Sequence, residues 1–205
     1  MDWKDYAKDI KLFEVFNKDI NLMSEVDIVD INSLNEIKDN IFIYNGNITK
    51  INADAVVNTT NYNMISSLAG KRIEDDCSII IDKQGHLDYP GSAKITRGYY
   101  LPSKFIIHTV APIIRTSTPT KEQEKQLKSC YNSCLDIAGE IDEINTVVLP
   151  CIATGVLGYP KEKAALIAVD IVTKWIDENP DKISKIIFNV SSKEDEEIYI
   201  NALNE

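Results

Sequence analysis

Residues 146–160 read TVVLPCIATGVLGYP, an apolar run that leads into a loop with two glycines and a closing proline. The apolar run is typical of a strand buried on both faces. Gly155 and Gly158 allow the loop to turn its backbone N–H groups inward, and Thr154 adds a hydroxyl. Pro160 suits the first turn of a helix, whose positive end favours phosphate. The stretch therefore predicts a phosphate-binding loop, with an ordinary glycine-containing turn as the alternative.

Short β-branched and aromatic runs alternate with longer amphipathic stretches on both sides of this loop. The predicted strands are Ile41–Tyr44, Ala53–Val57, Phe105–Val110, Thr146–Leu149 and Ile186–Val190. The predicted helices are Ile65–Cys77, Glu122–Ala138, Lys161–Asp177 and Glu194–Leu203. This alternation predicts an α/β fold of three layers, α-β-α, around a mixed, mostly parallel sheet. Ligands bind outside the carboxyl ends of the strands in such folds.

The first forty residues have a different pattern. Trp3, Tyr6, Ile10, Phe13 and Phe16 recur at helical spacing, which predicts an amphipathic helix packed on a larger body. The sequence Ser-Leu-Asn-Glu at 33–36 is typical of a capping box and predicts a second, short helix. We expect residues 1–40 to form an N-terminal helical extension, packed on a main domain that spans residues 41–205.

Two further loops carry polar residues at the ends of predicted strands. Asn58-Thr59-Thr60-Asn61 follows the second strand, and Tyr44-Asn45-Gly46-Asn47-Ile48-Thr49 follows the first. Their amides and hydroxyls could contact a sugar or the edge of a heterocyclic base. Asn, Gly and Thr are also the usual residues of turns, so each loop alone carries little weight.

Composition excludes several classes of protein. Of the 205 residues, 44% are apolar and 26% are charged, as in ordinary globular proteins. The formal net charge of −10 disfavours nucleic acid as a partner. The sequence has no apolar window of about 18 residues and no signal-peptide pattern at its start. We therefore expect no membrane partner and a cytoplasmic location.

The cysteines and histidines do not indicate a metal or cofactor. Cys77, Cys130, Cys134 and Cys151 are too few for a disulfide scaffold and are predicted to be thiols. Cys130 and Cys134 share a helical face, but no other Cys or His pair has ligand spacing nearby. His108 lies within an apolar run and is interpreted as a hydrogen-bonded core residue. No metal and no cofactor are predicted.

Taken together, the loops resemble those of the macrodomain family, whose members bind ADP-ribose or remove it from proteins. The matching segments are Gly46–Lys50, Asp54–Asn61, Ala93–Pro102, Ile107–Pro112 and Ala153–Tyr159. The resemblance implies that ADP-ribose or an ADP-ribosylated protein is the partner, with the backbone of Gly155–Tyr159 around the diphosphate. It also implies that Asn61 meets the distal ribose. The implied ligand-binding residues are Asn47, Ile48, Asn58, Asn61, Thr154, Gly155, Val156, Leu157, Gly158 and Tyr159.

One departure from the family bears on catalysis. The chain is most similar to the bacterial zinc-containing macrodomains that are encoded beside a sirtuin-like transferase and act as hydrolases. Only Tyr62–Ser67 separates Asn61 from the Leu-Ala-Gly segment, so the family's glycine-rich catalytic loop and its zinc ligands are missing. Because a water nucleophile needs a base or a metal, we expect hydrolase activity to be absent or weak. No catalytic residue is assigned.

Smaller departures affect ligand recognition. Asn47 replaces the Asp that accepts from the adenine amino group in the family, and its amide oxygen is expected to accept in the same way without charge. Leu157 replaces an aromatic residue that packs on the distal ribose. Ser191 stands where many members stack an aromatic residue on adenine. We expect weakened recognition at both ends of the ligand.

Three functions remain open from the sequence. The first is a binding module for ADP-ribose or a related nucleotide diphosphate. The second is a hydrolase that uses substrate-assisted chemistry or a carboxylate such as Asp75 or Asp76. The third is a degenerate macrodomain that serves as an interaction module through the Trp3–Phe16 helix or the surface left by the shortened loop.

Overall fold

A computed structural model describes residues 1–15, 28–59, 65, 68–116 and 118–205. The strands are β1 (Glu36–Lys38), β2 (Ile41–Asn45), β3 (Ala55–Thr59), β4 (Ala93–Arg97), β5 (Phe105–Thr109), β6 (Thr146–Pro150) and β7 (Lys185–Val190). The α-helices are α1 (Arg72–Gln84), α2 (Lys121–Gly139), α3 (Lys161–Glu178) and α4 (Lys193–Asn204). Short 3-10 helices cover Trp3–Asp5, Ile31–Ser33 and Ile48–Lys50.

All seven strands form one sheet in the order β1-β2-β7-β6-β3-β5-β4. The five strands from β2 to β5 in this order are parallel to their neighbours, and β1 and β4 pair antiparallel at the two edges. The prediction of a mixed, mostly parallel sheet is therefore confirmed. Because five strands run in one direction, β2, β3, β5, β6 and β7 all end at the same edge of the sheet.

Alternate residues of the central strands face two separate helical layers. Val147 and Leu149 of β6 belong to the larger apolar cluster, which includes Leu127 of α2 and residues of α3 and α4. Val148 lies on the opposite face and joins the smaller cluster with Ile73 of α1. These two clusters produce the predicted three-layer arrangement, since side chains alternate across a strand.

The helix predicted over Trp3–Phe16 does not form within residues 1–15. Within residues 1–15 only Trp3–Asp5 is helical, as a 3-10 turn, and Phe16 lies outside the described residues. Lys11 has φ 54°, which a continuing α-helix does not allow. Tyr6, Ile10 and Leu12 are nevertheless fully buried in the larger cluster. Their burial against the domain, and not helical periodicity, explains why they are apolar.

The second predicted helix is also absent from the described chain. The 3-10 helix Ile31–Ser33 is capped by Asp30, and Glu36 begins β1. The Glu36 carboxylate accepts from the backbone N–H of Asn40 at 2.7 Å. Residues 36–38 therefore pair with β2 as a strand, in place of the capping box and helix predicted from residues 33–36. In addition, α1 extends to Gln84, seven residues beyond its predicted end.

Tyr6 ties the N-terminal segment to the edge of the sheet. Its side chain is buried, and its hydroxyl accepts from the Ile95 N–H of edge strand β4 at 2.8 Å. Burial raises the pKa of Tyr6 above its usual value, so the phenol stays protonated at neutral pH. An edge strand whose backbone N–H is already bonded is less able to pair with a strand of another chain.

Replacing Tyr6 with phenylalanine is expected to lower the free energy of unfolding by about 1–3 kcal/mol, because the buried Ile95 N–H loses its acceptor. Urea denaturation measures this change. Tyr89→Phe is the control, since Tyr89 is 65% exposed, and should change stability by less than about 0.5 kcal/mol. Equal stability of both variants would contradict this role of the Tyr6 hydroxyl.

Candidate functional site

The loop between β6 and α3 lies at the middle of the carboxyl edge, because β6 pairs with β7 on one side and β3 on the other. The loop closes on itself through Tyr159 N–H to Ala153 O and Gly158 N–H to Gly155 O, both at 3.0 Å. Thr154 Oγ1 donates to Cys151 O at 3.0 Å, so this hydroxyl braces the loop. The sequence prediction had assigned it to a ligand.

The two glycines of the loop have different roles. Gly158 has φ 77°, and a Cβ there would lie 3.0 Å from Ile114 O, so its position requires glycine. At Gly155 a Cβ would meet nothing within 4 Å, which leaves open space above the loop. Val156 is 94% exposed beside it, whereas Leu157 and Tyr159 are buried and anchor the loop in the core.

The crest of the loop exposes backbone donors. Among the described residues, the N–H groups of Gly155, Val156 and Leu157 make no hydrogen bond. Three consecutive unbonded N–H groups near the start of a helix, here α3, favour an anion. This arrangement is what the sequence predicts for a phosphate-binding loop.

Buried polar side chains support the loop from below. The Tyr131 hydroxyl accepts from the Ile152 N–H at 3.3 Å and lies 3.5 Å from Pro150 O. Cys151 Sγ donates to Asn189 O at 3.5 Å. Burial raises the pKa of the Cys151 thiol to about 11, so the thiol is protonated at neutral pH and is a poor nucleophile.

The turn after β2 is held by Asn189, at the carboxyl end of β7. Its Nδ2 donates to Tyr44 O at 3.1 Å and to Gly46 O at 2.9 Å, and Gly46 N–H donates to Val190 O at 3.1 Å. Asn189 is 9% exposed. Sequence reasoning did not assign it to the site. The available signal was a single amide in an otherwise apolar strand, at the end nearest the loops.

Asn47 occupies this turn with its amide oxygen already engaged. Oδ1 accepts from Thr49 N at 3.0 Å and from Thr49 Oγ1 at 2.7 Å. A carbonyl oxygen has two lone pairs, and both are used here. These bonds compete with the predicted contact to an adenine amino group, which stays a prediction. Ile48 is buried in the smaller cluster and anchors the turn.

Asn58, at the carboxyl end of β3, belongs to a short hydrogen-bonded row. Its Nδ2 lies 3.4 Å from His108 Nδ1, and His108 Nε2 lies 2.9 Å from Thr96 Oγ1. Desolvation lowers the pKa of His108 to about 4, so the ring is neutral at pH 7. An Asn58 donor requires Nδ1 as acceptor, which leaves the proton on Nε2. His108 is thus held within the sheet, as interpreted from the sequence.

Two further candidates are Asn61 and Asp76. Asn61 is outside the described residues. Asp76 accepts from the Tyr99 hydroxyl and lies 3.7 Å from the Arg97 guanidinium. Because Arg97 pairs with Phe105, the first residue of β5, Asp76 lies toward the opposite edge of the sheet from the loop. This placement argues against Asp76 as a carboxylate of the site.

Two other kinds of feature are absent from the described ranges. No group of three or more His, Cys, Asp and Glu side chains there could hold a metal ion. Among the same residues, no helix is long and apolar enough to cross a membrane. The predicted absence of a metal stays a prediction.

Comparison with known proteins identifies the family. The family model described as "Macro domain" matches residues 57–168. The chain belongs to the Macro domain family. The match includes the end of β3, the β6–α3 loop and its supporting tyrosine, Tyr131. The turn after β2 and Asn189 lie outside the matched range.

Several characterised macrodomains are similar to this one. "Protein-ADP-ribose hydrolase" of Staphylococcus aureus (strain MSSA476) is 40% identical over 192 residues, covering 86% of this chain and 71% of the relative. "ADP-ribose glycohydrolase MACROD1" of Mus musculus is 37% identical over 173 residues, covering 80% and 51%. The solved "Oceanobacillus iheyensis macrodomain with ADP" superposes with a TM-score of 0.72 at 32% identity, covering 83% of this chain and 94% of that one.

These relatives contradict the expectation that the macrodomain is not an enzyme. Relatives at 40% and 37% identity carry hydrolase names. The expectation assumed that a chain without this acid and these zinc ligands has no other group that can activate water. A negative inference from one short loop carries less weight than similarity over most of the chain.

Proposed function

We propose that this macrodomain binds ADP-ribose across the carboxyl edge of its sheet. The observation that carries the proposal is the row of three unbonded N–H groups at Gly155, Val156 and Leu157. A charge-assisted hydrogen bond to such a group contributes about 1.5–3 kcal/mol, so three of them suit a diphosphate. Backbone donors also explain how a chain with net charge −10 can hold an anion.

The position of the loop supports an extended ligand. Strands lie about 4.8 Å apart, so the turn after β2 is roughly 10 Å to one side of β6, and the end of β3 is roughly 5 Å to the other. A diphosphate at the loop can direct the base toward Asn47 and Ile48. The distal ribose then meets Asn58, together with Asn61.

The second candidate function is hydrolysis of protein-linked ADP-ribose, which the names of the similar proteins favour. The bond between the ribose carbon and the protein side chain breaks, and its electron pair leaves with the side chain. Water supplies a hydroxyl group to the ribose carbon and a proton to the leaving group. The protonated Cys151 thiol and the neutral, hydrogen-bonded His108 are not assigned to this step.

Calorimetric titration with ADP-ribose, with AMP as the control, tests binding. We expect a dissociation constant in the range of about 1–100 µM for ADP-ribose and binding at least about tenfold weaker for AMP. Incubation with an ADP-ribosylated protein tests hydrolysis, and free ADP-ribose should accumulate with time. Binding without release would contradict the second function alone. No heat with either ligand would contradict both.

A further inference from the structure

The loop after β5 contacts the loop after β6 beyond the end of β3. The two loops meet there because β5 and β6 are the neighbours of β3 in the sheet. The Ile114 N–H donates to Leu157 O at 2.8 Å, and Ile114 O would lie 3.0 Å from a Cβ at Gly158. Ile114 itself is buried in the larger cluster. The segment at Ile114 therefore forms one side of the β6–α3 loop.

The side chain of Gln123, in the first turn of α2, holds the same segment from its other side. Its Nε2 donates to Ile113 O at 2.9 Å, and its Oε1 accepts from the Thr120 N–H at 2.8 Å. Because a backbone N–H can only donate, the oxygen and nitrogen of this amide cannot be interchanged. Gln123 thus completes the capping box of α2 and also fixes the Ile113 carbonyl.

The Ile113 carbonyl and the Ile114 N–H belong to one planar peptide group, so a bond at one end sets the direction of the other. Within residues 111–116, these two groups make the only hydrogen bonds to other elements that the structure describes. The Ile113 side chain is 53% exposed and gives the peptide little further support. A continuous chain of contacts therefore runs from α2 to Leu157, whose own N–H is one of the three unbonded donors.

We propose that Gln123 is a positioning residue for the diphosphate. It orients the peptide group between residues 113 and 114, which holds Leu157 and keeps the three unbonded N–H groups directed at one anion. This inference rests on the proposed function, which places the diphosphate at these donors. Without the Gln123 donor the peptide group can rotate, and the loop keeps its binding shape for only part of the time. The apparent affinity then falls in proportion to that fraction.

The test is calorimetric titration with ADP-ribose of the wild type, two variants at position 123 and a charge control. Gln123→Glu loses the donor to Ile113 O but keeps an acceptor for the Thr120 N–H, and acids suit the first turn of a helix, so α2 stays capped. Gln123→Met loses the same donor without adding charge. Gln126→Glu adds the charge about one turn further along α2, where the side chain makes no hydrogen bond to a described residue.

Both variants at position 123 are expected to bind ADP-ribose about fivefold or more weakly, as for a binding-competent fraction of about one fifth or less. Gln123→Glu should melt at the wild-type temperature while its Ile114 N–H exchanges with solvent faster, which separates positioning from a loss of stability. Wild-type affinity of Gln123→Met, or an equal loss in Gln126→Glu, would overturn the inference while the proposed function stands. If ADP-ribose does not bind the wild type, the proposed function fails, and the inference fails with it.

Discussion

Replacing Gly155 with glutamate should abolish ADP-ribose binding and leave the stability of the macrodomain almost unchanged. A Cβ at Gly155 meets no atom within 4 Å, so the folded chain has room for a side chain there. That room is the space above the three unbonded N–H groups. A glutamate would occupy it and place a negative charge where the diphosphate binds. We expect at least about a hundredfold loss of affinity, which corresponds to the loss of two charge-assisted hydrogen bonds.

Two variants separate the effect of the added side-chain volume at Gly155 from the effect of the added negative charge. Gly155→Ala adds a single methyl group and should weaken binding less than glutamate does. Asn204→Glu adds the same charge at the exposed end of α4, away from the loop, and should leave the affinity unchanged. Calorimetry measures binding, and thermal melting measures stability. Normal binding by Gly155→Glu would show that the diphosphate lies elsewhere.

Asn189→Asp is expected to destabilise the whole domain. The amide of Asn189 donates to both Tyr44 O and Gly46 O, and an aspartate at this 9% exposed position would place a charge against two carbonyl oxygens. Loss of both donors should lower the free energy of unfolding by about 2–4 kcal/mol. Protonation of the introduced carboxyl restores one donor, so the deficit should shrink as the pH falls and grow as it rises.

Asn47→Asp is the matched control for this substitution. It makes the same chemical change at the residue next to Gly46, but at an exposed position where aspartate can still cap Thr49. Its free energy of unfolding should stay within about 0.5 kcal/mol of the wild type. Urea denaturation at several pH values measures both variants. A small, pH-independent loss in Asn189→Asp would show that water satisfies the Tyr44 and Gly46 carbonyls equally well.

The β6–α3 loop could be predicted because its properties are local. Gly155, Gly158 and Pro160 shape the backbone within a few residues, and a buried apolar run before them is enough to indicate a strand. Asn189 could not be assigned in the same way, since the carbonyls that it holds are 145 and 143 residues away in the chain. The bonds from Thr49 to the Asn47 oxygen could not be predicted either, because they depend on the conformation of the turn.

The chemistry of the site shows the limit of arguing from missing residues. The short segment after Asn61 led to the expectation of a protein without hydrolase activity. The relatives with hydrolase names contradict that expectation. A sequence identifies the acids and metal ligands that it contains, but it does not show which water a bound substrate and the surrounding backbone can orient.

The central strands, the three long C-terminal helices and the loop at the edge of the sheet could all be predicted from the order of the residues. Their hydrophobic periodicity and glycine positions act over a few residues, so no distant partner is needed to predict them. The other features depend on contacts between distant parts of the chain. Edge strands β1 and β4 exist because β2 and β5 offer them backbone partners, although β1 is exposed along its whole length. Residues 1–15 leave helical geometry because burial of Tyr6, Ile10 and Leu12 against the domain outweighs their weak intrinsic preference for a helix.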